Sequence, residues 1–161
     1  MRAEGIKQVL KNSVYRSLGE TAAAMGANGN GTRSLRVLMY HKVNDLPGNP
    51  LTMPVSLFDE QMDQLRQLGY QVVDLDAVLD HYTLGAPLPD HAVLITFDDR
   101  YRDTLENAMP VLQKHGYKAV IFVPVAYMED STPLPHESLL VERGVRNPTL
   151  DWGLMRELDA G

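Results

Sequence analysis

The sequence lacks three features that would assign it to well-defined classes of protein. It has no cysteine in 161 residues, which excludes disulfides and any cysteine-ligated zinc site but does not fix a compartment. No run approaches the ~18 apolar residues that a membrane-spanning helix needs. The formal net charge is −6, whereas nucleic-acid binding normally requires a basic patch. We therefore expect no transmembrane segment and no nucleic-acid partner.

The first 34 residues differ in composition from the rest of the chain. Met1 to Gly19 mixes basic residues with apolar residues at helical spacing, but it has no continuous apolar segment of the kind found in a signal peptide. Gly26 to Ser34 is rich in glycine and asparagine, as flexible linkers are. We expect residues 1–34 to form a helix and a linker, and residues 35–161 to form one domain. The compartment stays open between the cytoplasm and the periphery of a membrane.

The stretch A-V-L-I-T-F-D-D-R-Y, from Ala92 to Tyr101, carries the main functional signal. Its apolar run predicts a strand that is buried on both faces. Ionised carboxylates cannot lie unpaired in such an interior, so the strand should end at Asp98 and Asp99. In α/β proteins, ligands bind at this carboxyl-end edge of the sheet. The alternative, that the two aspartates only begin a loop or cap a helix, stays open on this pattern alone.

Strand and helix patterns alternate along the chain, which is typical of a parallel sheet with crossover helices. Pro110 lies within a helical pattern and is expected to kink that helix or to begin its second half. Thr149 is expected to cap a final helix from Leu150 to Asp159. His136 lies in a long irregular loop, where a solvent-exposed role is favoured over a site role. The predicted strands lie near residues 36–40, 71–74, 92–97 and 118–123.

T-F-D-D, followed by a helical stretch and then by Ala119 to Val123, resembles the first motif of the polysaccharide deacetylases, also called the NodB-homology or carbohydrate esterase 4 family. Val37 to Val43 resembles the first strand of many members, and Phe58 to Val73 resembles the helix and strand that follow it. The resemblance extends roughly from Leu35 to Val123. It implies an α/β fold, here an incomplete distorted (β/α) barrel with about four mostly parallel strands.

The resemblance also implies a reaction, the metal-dependent removal of acetyl groups from N-acetylated or, less often, O-acetylated carbohydrate. Asp98 would be the general base, and Asp99 would bind a divalent metal, with zinc as the first candidate. The resemblance places His41, after the first strand, at the same edge of the sheet. His41 and Arg100 are therefore candidate residues of the active-site rim. The partner would be a carbohydrate polymer or oligosaccharide.

The histidines depart from the family pattern. The remaining family ligands come from an H-[ST]-x-x-H motif, and no two of the five histidines here are four residues apart. We therefore expect residues 35–161 to be the N-terminal part of a deacetylase domain, truncated before that motif. Such a chain should bind no metal tightly, and its uncovered sheet edge should promote non-specific self-association.

Arg100 is a second departure, because it stands where the family has glycine. A cation next to two carboxylates would compete with a metal for their negative charge. The alternative, a surface side chain that points away from the carboxylates, stays open.

Two classes of function remain for this sequence. The first is a carbohydrate deacetylase, inactive as such a fragment. The alternative is a non-catalytic remnant or a carbohydrate-binding fragment without turnover. A phospho-acceptor receiver domain also carries paired acids at a strand end, but it needs a further Asp and a Lys at later strand ends. This chain has Val73 and Val123-Pro124 at those positions, so we discount that class.

Overall fold

The computed structural model describes residues 34–46, 51–128, 134–137, 141–142, 144 and 147–160. The expected N-terminal helix and linker, residues 1–34, lie outside the described residues except for Ser34. The strands are β1 (Arg36–Tyr40), β2 (Lys42–Val43), β3 (Thr52–Met53), β4 (Gln71–Val72), β5 (Ala92–Asp98) and β6 (Val120–Phe122). The α-helices are α1 (Val55–Gln67), α2 (Leu75–Leu84), α3 (Met109–His115) and α4 (Trp152–Ala160).

The main sheet is built around β5, which pairs in parallel with three other strands. Along one side it pairs with β1, from Arg36↔Val93 to Tyr40↔Phe97. On the other side β4 pairs with the beginning of β5 and β6 pairs with its end. The predicted α/β class with four mostly parallel strands is confirmed, and the strands in the described part of the chain form no closed barrel.

The alternation of side chains along β5 explains why this strand is central. From Ala92 to Phe97 every residue is buried, because helices cover both faces of the sheet. Ile95 and Phe97 face α1 and contribute to a core that includes Tyr40, Phe58 and Met62. Ala92 and Leu94 contribute to a second core with Val73 and Val78, on the side of α2. The continuous apolar run therefore contributes side chains to both cores, in agreement with the predicted burial of the strand on both faces.

The helix after β5 changes its hydrogen-bonding pattern midway. A π-helical turn runs from Thr104 to Ala108, and α3 follows with Pro110 in its first turn. Proline lacks a backbone N–H, so the first turn of a helix is the position that accommodates it. This matches the second of the two expectations for Pro110.

The predicted first residue of the final helix, Leu150, was wrong. Thr149 does not cap it but forms an antiparallel bridge with Tyr101. The helix begins at Trp152, and the Asp151 carboxylate accepts a hydrogen bond from the Leu154 backbone N–H at 2.9 Å. Among the described residues, no helix is both long and apolar enough to cross a membrane.

Candidate active site

The register between β1 and β5 brings the first two candidate residues together. Tyr40 pairs with Phe97, so the residues that follow them, His41 and Asp98, emerge side by side at the carboxyl end of the sheet. The Nε2 atom of His41 lies 3.9 Å from Asp98 Oδ2 and 3.8 Å from Asp99 Oδ2. All three side chains are partly exposed, so a substrate can reach them.

An abrupt turn ends β5 and separates the two carboxylates from the core. Asp99 and Arg100 both have positive φ angles, +69° and +52°. Neighbouring backbone holds this turn in place, since the Leu150 N–H donates to the Arg100 carbonyl at 2.8 Å and the Arg102 N–H donates to the Pro148 carbonyl at 3.0 Å. The chain before α4 therefore supports the turn that presents Asp98 and Asp99.

Arg100 lies elsewhere than the sequence led us to expect. Its side chain is buried, with 4% of its surface exposed. The guanidinium donates hydrogen bonds to the backbone carbonyls of Leu150, at 2.7 Å, and of Tyr127. In the described part of the chain it forms no ion pair within 4.0 Å with either aspartate. The structure therefore supports neither a cation next to the carboxylates nor a surface side chain.

The structure adds a residue that the sequence gave little reason to choose. His136, in a short 3₁₀ turn from Pro135 to Glu137, places its Nε2 atom 3.4 Å from Asp99 Oδ2. The same nitrogen lies 3.0 Å from the Tyr101 hydroxyl. His136 lies far from Asp99 in the chain, with 36 residues between them, so no local pattern indicated this contact.

A buried group of side chains lies beneath the site. Lys42 Nζ and Glu137 Oε1 are 2.7 Å apart, and only 1% and 4% of these side chains are exposed. The Lys42 ammonium also lies 4.2 Å from the centroid of the Tyr101 ring, in cation–π contact. Burial raises the pKa of the Tyr101 phenol far above its ordinary value, and the negative charges of Glu137 and Asp99 raise it further. The phenol is therefore protonated at neutral pH.

The described residues do not by themselves complete a metal centre. Asp99 has the carboxylate chemistry of a metal ligand, but in the described part of the chain no group of three or more His, Asp or Glu side chains is arranged to hold an ion. The imidazoles of His41 and His136 both lie near Asp99 Oδ2, with their Nε2 atoms 3.8 Å and 3.4 Å from that oxygen.

Comparison with known proteins shows which family the chain resembles. The sequence profile of a family described as polysaccharide deacetylase matches residues 85–158, which include both aspartates and His136. Over those residues the chain is similar to the polysaccharide deacetylases. This likeness makes the edge at Asp98 and Asp99 the candidate functional site.

Relatives and solved structures show the same likeness. YxkH of Bacillus subtilis (strain 168) is 39% identical over 89 residues, which are 55% of this chain and 31% of that protein. The poly-beta-1,6-N-acetyl-D-glucosamine N-deacetylase of Escherichia coli (strain K12) is 34% identical over 96 residues, 58% of this chain and 14% of that protein. The chain thus corresponds to less than a third of the length of each of these two relatives.

The likeness extends to structure. IcaB from Ammonifex degensii is 28% identical, with a TM-score of 0.64 over 82% of this chain and 49% of the other. A de-N-acetylase from Aggregatibacter actinomycetemcomitans has a TM-score of 0.65 over 78% of this chain and 50% of its own, at 22% identity. The second likeness is one of fold alone.

Proposed function

We propose that the carboxyl edge of β5 is part of the active site of a carbohydrate deacetylase, which hydrolyses the acetyl amide of an N-acetylated sugar polymer. The observation that carries the proposal is the clustering of Asp98, Asp99 and His41 at the end of a buried strand, in a chain whose residues 85–158 match the polysaccharide deacetylase profile. The name of the Escherichia coli relative points to β-1,6-linked N-acetylglucosamine as the first substrate to test.

In this proposal Asp98 and His41 divide the proton transfers. The Asp98 carboxylate takes a proton from the water that attacks the acetyl carbonyl carbon. The imidazole of His41, within 4 Å of both carboxylates, holds a proton that can pass to the leaving sugar nitrogen. The C–N bond breaks, and the products are acetate and a free amine.

A divalent metal supplies a polarised carbonyl and an acidified water when it is bound in an enzyme of this kind. We propose Asp99 as one of its ligands and zinc as the first ion to test. Because catalytic zinc usually has three protein ligands, we expect the 161-residue chain to show no tight site for Zn²⁺. Titration calorimetry with Zn²⁺ measures this directly, and a stoichiometric micromolar site lost in Asp99→Ala would contradict it.

The main alternative is carbohydrate binding without turnover, which the incomplete ligand set among the described residues favours. One experiment distinguishes the two functions. It measures binding and acetate release with β-1,6-linked N-acetylglucosamine oligomers, with and without added Zn²⁺. Release of acetate supports the hydrolase. Binding measured by calorimetry without acetate release supports the alternative, and neither binding nor release would contradict both.

A further inference from the structure

The turn from Pro135 to Glu137 reaches the candidate site from a distant part of the chain. His136 lies in the middle of this turn, with Nε2 3.4 Å from Asp99 Oδ2 and 3.0 Å from the Tyr101 hydroxyl. An ionised carboxylate only accepts hydrogen bonds, so the contact is attractive when Nε2 carries a hydrogen. The Asp99 oxygen in this contact also lies 3.8 Å from His41 Nε2, and the hydrogen bond that the structure shows for the His136 nitrogen is the one with the Tyr101 hydroxyl.

The next residue in the chain fixes the turn to the body of the protein. Glu137 Oε1 lies 2.7 Å from Lys42 Nζ and accepts a second hydrogen bond from Asn147 Nδ2 at 2.6 Å. Lys42 directly follows His41, so one short segment both places His41 near Asp99 and binds the turn that carries His136. Because separating a buried ion pair leaves uncompensated charge in the interior, the turn has a strongly favoured position. The position of His136 follows from it.

Asp99 needs such a partner for a conformational reason. It lies at φ +69° in the turn after β5, at the edge of the sheet, where its side chain is 20% exposed. A partly exposed carboxylate can rotate unless neighbouring groups hold its oxygens. The described groups within 4.0 Å that can do so are the imidazoles of His41 and His136.

We propose that His136 is a positioning residue of this site, which orients the Asp99 carboxylate, and that the buried Lys42–Glu137 pair in turn holds His136. The inference rests on the proposed deacetylase function, which it extends to a residue outside the T-F-D-D motif. Removing a group that orients a metal ligand typically changes metal affinity or activity 10–100-fold.

The kinetic test compares His136→Ala and His136→Gln with the parent chain on N-acetylglucosamine oligomers. We expect His136→Ala to lower kcat about 10–100-fold, with KM within about twofold of the parent. Glutamine can donate an N–H to the same oxygen, so His136→Gln should recover most of the rate. His91→Asn is the control, because it removes an exposed imidazole at φ +57°, a conformation that asparagine tolerates.

A second measurement does not depend on activity. In protein labelled with ¹³C at aspartate side chains, His136→Ala should move the carboxyl resonance of Asp99 and leave that of Asp90 in place. If the parent releases no acetate, the proposed function fails, and this resonance alone decides whether His136 orients Asp99. An unmoved Asp99 resonance would overturn the inference. An unchanged kcat in His136→Ala would also overturn the inference. So would a His136→Gln variant that loses as much rate and as much melting temperature as His136→Ala.

Discussion

At the residue scale, the turn after β5 combines backbone strain with buried hydrogen bonds. Asp99 and Arg100 occupy the left-handed region at φ +69° and +52°, which costs on the order of 1–3 kcal/mol for each non-glycine residue. The buried guanidinium of Arg100 offsets this cost through its bonds to the Leu150 and Tyr127 carbonyls. The side chain therefore stabilises the structure around the site without contacting the carboxylates.

The first prediction is that Arg100→Gly destabilises the protein. Glycine removes the strain at this position, but it loses two hydrogen bonds from a charged donor, each contributing about 1.5–3 kcal/mol. We expect the free energy of unfolding to fall by about 2–3 kcal/mol after the strain is subtracted. Urea unfolding of both proteins measures the difference.

The control for this prediction is His91→Gly, which also replaces a non-glycine residue at positive φ, here +57°. His91 is exposed, so its replacement should change stability by less than about 1 kcal/mol. An Arg100→Gly protein as stable as the parent would show that the two carbonyl contacts contribute little.

The sequence predicted some site residues and missed others for physical reasons. Asp98 and Asp99 were predictable because a buried strand cannot continue through two ionised carboxylates. His136 was not predictable, because its contact with Asp99 depends on Glu137 meeting Lys42, which is 95 residues away in the chain. A lysine within an apolar stretch gives no sign, from sequence alone, that it is buried with a distant partner.

At the element scale, the buried Lys42–Glu137 pair joins β2 to the turn that carries His136. The second prediction is that Lys42→Met lowers the free energy of unfolding by about 3–5 kcal/mol, because it leaves the Glu137 carboxylate buried without its cation. The double variant Lys42→Met/Glu137→Leu should recover most of that loss. A double-mutant cycle in urea measures the coupling, and additive losses in the double variant would contradict the account.

A second ion-pair cluster joins α1 to α3. Asp59 accepts hydrogen bonds from Lys114 at 2.7 Å and lies 2.8 Å from His115 Nε2. Hydrogen bonds from Lys114 and then His115 lower the pKa of the Asp59 carboxyl below its ordinary value of 3.8. A depressed folded-state pKa stabilises the folded protein above the unfolded value, and this stabilisation is lost as pH falls through the folded value.

The third prediction follows from the lowered pKa of Asp59 in the folded protein. Asp59→Asn should be less stable than the parent at pH 7, and the two stabilities should converge as the pH falls below 3.8. Glu60→Gln, at the adjacent exposed position of α1, is the control and should change stability less at pH 7. Thermal melts between pH 2.5 and 7 measure both. A stability difference that persists unchanged at pH 2.5 would show that the ion pairs are not its cause.

The sequence predicted the existence of these elements better than their ends. The continuous apolar run correctly marked β5, because helices cover both sides of this strand. The strand predicted near residues 71–74 is shorter in the structure, Gln71–Val72, since β4 pairs only with the beginning of β5. Thr149 was mistaken for a helix cap because its pairing with Tyr101 is a long-range contact.

At the scale of the whole molecule, the sheet leaves apolar residues uncovered along its outer strands. Val37 and Met39 on β1 are 55% and 63% exposed, and Phe122 on β6 is 58% exposed. Within the described residues, the main-sheet partner of β1 is β5 alone, so its other side offers free backbone groups. Exposed edges with apolar side chains promote pairing between chains.

The fourth prediction is therefore concentration-dependent self-association of the 161-residue chain. The double variant Met39→Lys/Phe122→Lys should reduce it, because charged side chains on edge strands oppose pairing. Leu84→Lys is the matched control, since Leu84 is also exposed, at 76%, but lies on α2. Sedimentation velocity at several concentrations measures the effect. A monodisperse parent across that range would contradict the prediction.

The central claim is that the edge at Asp98 is a deacetylase site, and the rate of acetate release from β-1,6-linked N-acetylglucosamine oligomers tests it most directly. We compare the parent with Asp98→Asn and with Asp90→Asn, which changes an aspartate at the opposite end of β5. The sequence led us to expect an inactive fragment, whereas the proposed site predicts measurable release by the parent in excess Zn²⁺, a loss of about 10²–10⁴-fold in Asp98→Asn, and a rate close to the parent's in Asp90→Asn. Equal rates in the two variants, or no release by the parent, would contradict it.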